Sequence, residues 1–232
     1  KSSPGAAVIA MLAAALAVDN AALAAASVLG GTELAGLVDR CRHALHMTTG
    51  PIAMIAAVQI AAAAHMPTLR SGPGCWAAWA FVTGALGYGI ADAITGFRMA
   101  PGCLDTLLRH ASVVPADQAC LHTEVLLHGG GIPVLFMISD TVVTIIGAII
   151  WGKQSWPWMF AGSVVLFAAA QVPEMQLPAA INAGMVAWLF ALAASSARFA
   201  KSHADEADKF ASVVNFNDTA SFATRTWHKN DL

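Results

Sequence analysis

Six long apolar runs constrain the fold of this chain more than any motif does. They lie at about 5–29, 44–66, 75–97, 121–151, 156–172 and 178–199. A helix needs roughly 20 apolar residues to cross about 30 Å of hydrocarbon, and most of the runs reach that length. Only 11% of the residues are charged, and the mean hydropathy is +0.64. The sequence therefore predicts an all-α, polytopic helical bundle with about six transmembrane helices.

Two regions are predicted along the chain. Residues 1–199 form the transmembrane bundle, and residues 200–232 form a polar extramembrane tail with mixed charges and no apolar period. The first run also resembles a secretory signal, but its length and the interruption at Asp19 favour a span. A chain that starts at Lys1 instead of methionine fits a removed precursor segment or initiator.

The charge balance excludes one class of partner. Twelve basic and fourteen acidic residues give a net charge of −2, so no basic face is available for nucleic acid. Basic residues near the ends of the runs fall on both sides, which leaves the orientation open. The expected location is a bacterial inner membrane or an organelle membrane. The expected partners are the lipid bilayer and other membrane subunits.

Two histidines inside the apolar runs are the candidates for a cofactor site. His46 and His128 lie on two different runs, near the ends that are predicted to face the same side of the membrane. Gly50 follows His46 by one turn, and Gly129 and Gly130 follow His128. Glycine allows either a close helix crossing or room for a flat ligand. Imidazoles on facing helices are typical haem ligands, so haem b is the predicted cofactor, with a quinone or small reductant arriving at that face.

A simpler interpretation of the histidines remains open. His43 lies with Arg40 and Arg42 at the membrane–water interface and needs no special role. His46 and His128 then hydrogen-bond a backbone carbonyl, or Thr48 or Thr49, and the glycines serve helix packing alone.

A metal site is the second cofactor hypothesis. Its nitrogen and oxygen ligands would come from the set His43, His110, His122 and Glu124. Copper is the choice if methionine or cysteine contributes. No HExxH motif supports zinc. Cys103 and Cys120 are the only local candidates for a disulfide, which requires an oxidising compartment.

Three aspartates lie inside the predicted spans: Asp19, Asp92 and Asp140. A carboxylate costs about 2.5–3.5 kcal/mol at the centre of a membrane helix, so each is a candidate functional group. The set is suited to proton relay, to a quinone headgroup or to a carrier site. Hydrogen bonding between helices is the structural alternative.

Three functions therefore remain in view. The first is a membrane redox protein with haem b between spans two and four. The second is an accessory subunit of a respiratory or photosynthetic complex, and the third is a small proton-coupled carrier or channel. Whether the chain is an enzyme stays undecided.

The loop from about 98 to 120 is expected to hold a short amphipathic helix in "LDTLLRHASVV".

Overall fold

The structure is a computed structural model that describes residues 3–29, 32–95, 100–104, 107–111, 134–172 and 179–200. Its helices are α1 (Ala6–Leu29), α2 (Glu33–Ala63), α3 (Pro67–Arg70), α4 (Pro73–Thr95), α5 (Val134–Gln154), α6 (Trp158–Ala169) and α7 (Ala179–Ala200). Two short strands, β1 (Ala100–Leu104) and β2 (Leu107–Ala111), lie between α4 and α5. The prediction of a bundle of apolar helices is confirmed.

The central helix of the bundle is α2. Ala53, Met54, Ala57 and Ile60 in its second half have no exposed surface. Helices α1, α4 and α5 pack around it. Because much of this surface is alanine, the neighbouring helices approach the α2 backbone closely.

The long helices alternate in direction. Gly50 of α2 meets Ser139 of α5, and further along both helices Gln154 Nε2 donates to the Ala64 carbonyl oxygen at 3.2 Å. These two helices are therefore parallel. Close contacts at other glycines show that α1 and α4 run against α2, and that α6 runs against α5 and α7. The result is an up-and-down bundle.

Five of the described helices are long and apolar enough to cross a membrane: Ala6–Ala25, Glu33–Ala63, Pro73–Ile94, Val134–Gln154 and Ala179–Ala200. The apolar helix α6 is shorter, with 12 residues. Large apolar side chains face outward on these helices, as with Ile94 (77% exposed) and Phe190 (73%). An outward apolar surface of this kind suits lipid and is unusual on a soluble monomer. The structure is therefore compatible with an integral membrane protein.

The start of α2 differs from the predicted boundary near residue 44. The helix begins at Glu33, about three turns earlier. Thr32 caps it, because its Oγ1 accepts a hydrogen bond from the Ala35 backbone N–H at 3.3 Å. The acidic Glu33 in the first turn also suits the positive end of the helix dipole. Polar residues before the apolar run are thus part of the helix.

The connection after α4 also differs from the prediction. The expected amphipathic helix in "LDTLLRHASVV" is wrong in its centre, where β2 pairs antiparallel with β1. The register runs from Ala100 opposite Ala111 to Leu104 opposite Leu107, which leaves two residues between the strands. A tight hairpin pairs backbone groups directly, whereas a short isolated helix is only marginally stable. The all-α prediction therefore holds for the fold, and the amphipathic helix expected in this connection is replaced by a short hairpin.

Candidate functional site

Asp19 is the centre of a buried polar cluster. It lies on α1, is 2% exposed, and follows Ile9, Leu12 and Leu16 in a stripe of buried residues. The members of this stripe are three or four residues apart, which keeps them on one face of a helix. Packing of this face of α1 against the bundle therefore also buries the Asp19 carboxyl.

Helix α2 supplies two basic side chains to this carboxyl. Arg42 Nε donates to Asp19 Oδ1 at 2.9 Å, and His46 Nε2 lies 3.4 Å from the same oxygen. Arg42 and His46 are four residues apart, so they share one face of α2. Arg42 is 6% exposed, and the side chain of His46 is 12% exposed. Both groups are withdrawn from water together with Asp19.

Helix α7 completes the cluster with Asn182, which is 2% exposed. Its Nδ2 donates to Asp19 Oδ2 and also to Asn20 Oδ1, the latter at 3.3 Å. Its own Oδ1 is buried and has no hydrogen-bond partner among the described residues. The amide thus holds the carboxylate with its nitrogen and keeps an acceptor available on its oxygen. We refer to Asp19, Arg42, His46 and Asn182 as the Asp19 cluster.

The charges of the Asp19 cluster compensate each other. The guanidinium of Arg42 and the carboxylate of Asp19 cancel when His46 is neutral. Either charge alone would be costly in a dry bundle, and mutual pairing with hydrogen bonds offsets that cost. Histidine is the side chain that most readily gains or loses a proton near neutral pH.

The prediction that Arg42 is in contact with water is wrong, because its side chain is 8% exposed. The residue lies on the third turn of α2 and faces α1, because the helix begins at Glu33. Sequence reasoning missed it because a basic residue before an apolar run ordinarily marks a membrane surface. The sequence signal is Thr32, because a capping residue at this position places the start of α2 before the apolar run.

Gly50 marks a close crossing of α2 and α5. A Cβ on Gly50 would lie 3.0 Å from Ser139 Cβ and 3.3 Å from Phe136 Cα. The space beside this glycine is therefore occupied by α5. Thr49 Oγ1 donates to the His46 carbonyl oxygen of its own helix at 3.1 Å.

Several predicted site residues lie outside the described residues. These are His122, Glu124, His128, Gly129 and Gly130, together with the side chains of His43 and His110. The facing pair of His46 and His128 and the proposed metal ligands therefore stay predictions. Within the described ranges, no three His, Cys, Asp or Glu side chains group closely enough to hold a metal ion.

The other two predicted carboxyls take no part in the hydrogen bonds of the Asp19 cluster. Asp140 lies on α5 and is 1% exposed, and neither of its carboxyl oxygens has a hydrogen-bond partner among the described residues. Asp92 is half-buried on α4. Asp19 and Asp140 therefore form two separate buried sites, of which only the first is rich in partners.

Comparison with known proteins adds no assignment to these sites. No protein-family model, no curated protein and no solved structure matches the chain. The chemistry of the Asp19 cluster is therefore the main guide to function.

Proposed function

We propose that this chain is an integral membrane protein with six spans that carries protons across a bacterial inner membrane or an organelle membrane. The sixfold count includes α6, whose 12 residues rise about 18 Å at 1.5 Å per residue. Because α5 and α7 are parallel, α6 must return the chain from the end of one to the start of the other. The lipid bilayer is then the first partner of the protein.

One observation carries the proposal of proton transfer. The buried carboxyl of Asp19 is shared by Arg42 and His46 of α2 and by Asn182 of α7. Apolar side chains of similar size often join helices at no greater cost than a buried ion pair. Ionisable groups inside spans are characteristic of proton and ion pathways. We therefore assign this cluster a role in transport in addition to packing.

The geometry gives a route for the proton through the cluster. A proton from a donor on the side of the helix ends at Leu29 and Glu33 binds His46 Nε2, 3.4 Å from the Asp19 carboxylate. The imidazolium then donates to that carboxylate. Arg42 contacts the same carboxylate and places a fixed positive charge beside the transferred proton. The buried acceptor oxygen of Asn182 can hold a water molecule that passes it on.

The test is proton flux into liposomes that contain the purified full chain. Asp19→Asn removes the charge but keeps the size of the side chain, and we expect flux to fall to the level of empty liposomes. Glu33→Gln makes the same chemical change at an exposed helix start and should leave the flux unchanged. Equal flux from the wild type and from Asp19→Asn would exclude the proposal.

A second variant separates transport from folding. Asp19→Asn leaves Arg42 buried without its counter-ion, so this variant risks misfolding. The double variant Asp19→Asn with Arg42→Gln removes both charges and should fold better than the single one. We expect it to be well folded and inactive. Full flux from a well-folded double variant would also contradict the proposal.

The other functions predicted from the sequence stay predictions. Haem b between His46 and His128, a quinone or small reductant, and copper or another metal all depend on residues outside the described part of the chain. A role as an accessory subunit bound to other membrane subunits also stays a prediction. Co-purification in mild detergent tests the last of these, since an accessory subunit should retain its neighbours.

A further inference from the structure

Asp140 lies on the most buried face of α5. Phe136, Val143 and Ile150 share this face and are at most 1% exposed, and so is Asp140 itself. Both of its carboxyl oxygens are buried without a hydrogen-bond partner among the described residues. A carboxylate in this position has neither water nor a counter-charge to stabilise it.

Among the described residues, Ser163 of α6 places a hydroxyl beside the Asp140 carboxyl. The two groups are not hydrogen-bonded in the structure, but the hydroxyl can turn toward the carboxyl to donate. Ser163 Oγ accepts a hydrogen bond from Trp188 Nε1 of α7 at 2.9 Å. Because a hydroxyl can accept and donate at once, the Ser163 hydrogen remains available to the carboxyl.

In the part of the chain that the structure describes, no charged group pairs with the Asp140 carboxyl. Among the described residues, α6 presents Ser163, α7 reaches Ser163 through Trp188, and α2 crosses α5 at Gly50. None of these is titratable near neutral pH. Trp188, which donates to Ser163, lies six positions after Asn182 of the Asp19 cluster, a rise of about 9 Å along α7.

We propose that Asp140 is a second proton-binding site in the bundle and is occupied by a proton near neutral pH. A proton fits this site better than a metal cation. Hard cations need about six oxygen ligands, whereas the described residues contribute one carboxyl group and one hydroxyl here. A bound proton removes the charge, and the Ser163 hydroxyl provides a donor when the proton leaves. This proposal concerns occupancy, so it does not depend on transport through Asp19.

Labelling with a lipophilic carbodiimide tests the proposal on the purified full chain in detergent. The reagent adds to protonated carboxyl groups in apolar surroundings, and mass spectrometry locates the adduct. We expect the adduct on Asp140 and its loss in Asp140→Asn. Asp19, which is ion-paired with Arg42, should not react and is the internal control. Labelling should fall as the pH is raised and the proton leaves.

A substitution at Ser163 tests the surroundings of the carboxyl. Ser163→Ala removes the donor that favours the ionised form, so labelling of Asp140 should persist to higher pH. A shift in the opposite direction would contradict the assigned role of Ser163.

Infrared difference spectra between the wild type and Asp140→Asn give a second readout, which does not require the reagent to reach the site. The carbonyl stretch of a protonated carboxylic acid should be present in the wild type and missing in Asp140→Asn. Absence of both the adduct and this band in the wild type would overturn the proposal. Flux measurements on Asp19→Asn do not enter either readout, so failure of one proposal is distinguishable from failure of the other.

Discussion

Arg42 and Asp19 form an ion pair at 2.9 Å between α1 and α2, with side-chain exposures of 8% and 3%. The pair joins two helices that are adjacent in the chain and antiparallel in the bundle. Neither charged group is exposed enough for water to take the place of its partner. The two residues should therefore behave as one unit when either is changed.

The first prediction concerns the stability of this pair. Arg42→Gln should lower the free energy of unfolding by about 3–5 kcal/mol, because it leaves Asp19 buried without its counter-ion. The double variant with Asp19→Asn should lose markedly less. Reversible unfolding in mixed micelles measures both, with Arg40→Gln on the exposed side of α2 as the matched control. Strictly additive losses would argue against a coupled pair.

The second prediction concerns the crossing of α2 and α5. Gly50→Ala places a Cβ 3.0 Å from Ser139 Cβ and should cost about 1–3 kcal/mol through overpacking. Gly84→Ala on α4 is the control, because nothing lies within 4 Å of its added Cβ. That control should be neutral or stabilise α4 by up to about 1 kcal/mol, since alanine is the better helix former. Equal effects of the two substitutions would refute a close crossing at Gly50.

The third prediction concerns the hydrogen bond between Trp188 and Ser163. Trp188→Phe removes the Nε1 donor and should cost about 1–3 kcal/mol, through lost packing and the unpaired Ser163. Trp158→Phe makes the same change at a site that is 56% exposed and should have little effect. Thermal unfolding followed by near-ultraviolet circular dichroism measures the difference. Similar midpoints for both variants would contradict a buried hydrogen bond.

The fourth prediction tests the haem hypothesis directly. Visible spectra of the purified protein, oxidised and then reduced with dithionite, should show a Soret band and a reduced alpha band if haem b is bound. His46→Ala and His128→Ala should each abolish these bands, and His110→Ala should not. A colourless wild-type protein would remove the haem hypothesis. Bands that survive both substitutions would exclude this pair of ligands.

The burial of Asp19 could be predicted from its position in the sequence. It continues the spacing of Ile9, Leu12 and Leu16, so any helix that buries those residues against a neighbour also buries Asp19. The apolar runs likewise predicted the helices of the bundle, because length and hydropathy are local properties.

The partners of Asp19 could not be predicted in the same way. Arg42 precedes an apolar run, and only the capping geometry at Thr32 places it inside the bundle. Asn182 lies 163 residues after Asp19, so no local pattern connects the two. Hydrogen bonds between distant helices depend on how those helices pack, which periodicity along one helix does not specify. The strand β2 was missed because its pairing with β1 outweighs the helical pattern of the segment.

The length of α2 has a consequence for the membrane potential. Its 31 residues rise about 46 Å, whereas the hydrocarbon is about 30 Å thick, so α2 must tilt or project beyond it. If the excess projects at the Glu33 end, Arg42 and His46 lie close to the boundary with the headgroups. The hydrocarbon then covers about 20 residues of α2, from near Ala44 to Ala63. Most of a transmembrane voltage would fall across that stretch, so the field would act mainly on a proton moving between His46 and the far face.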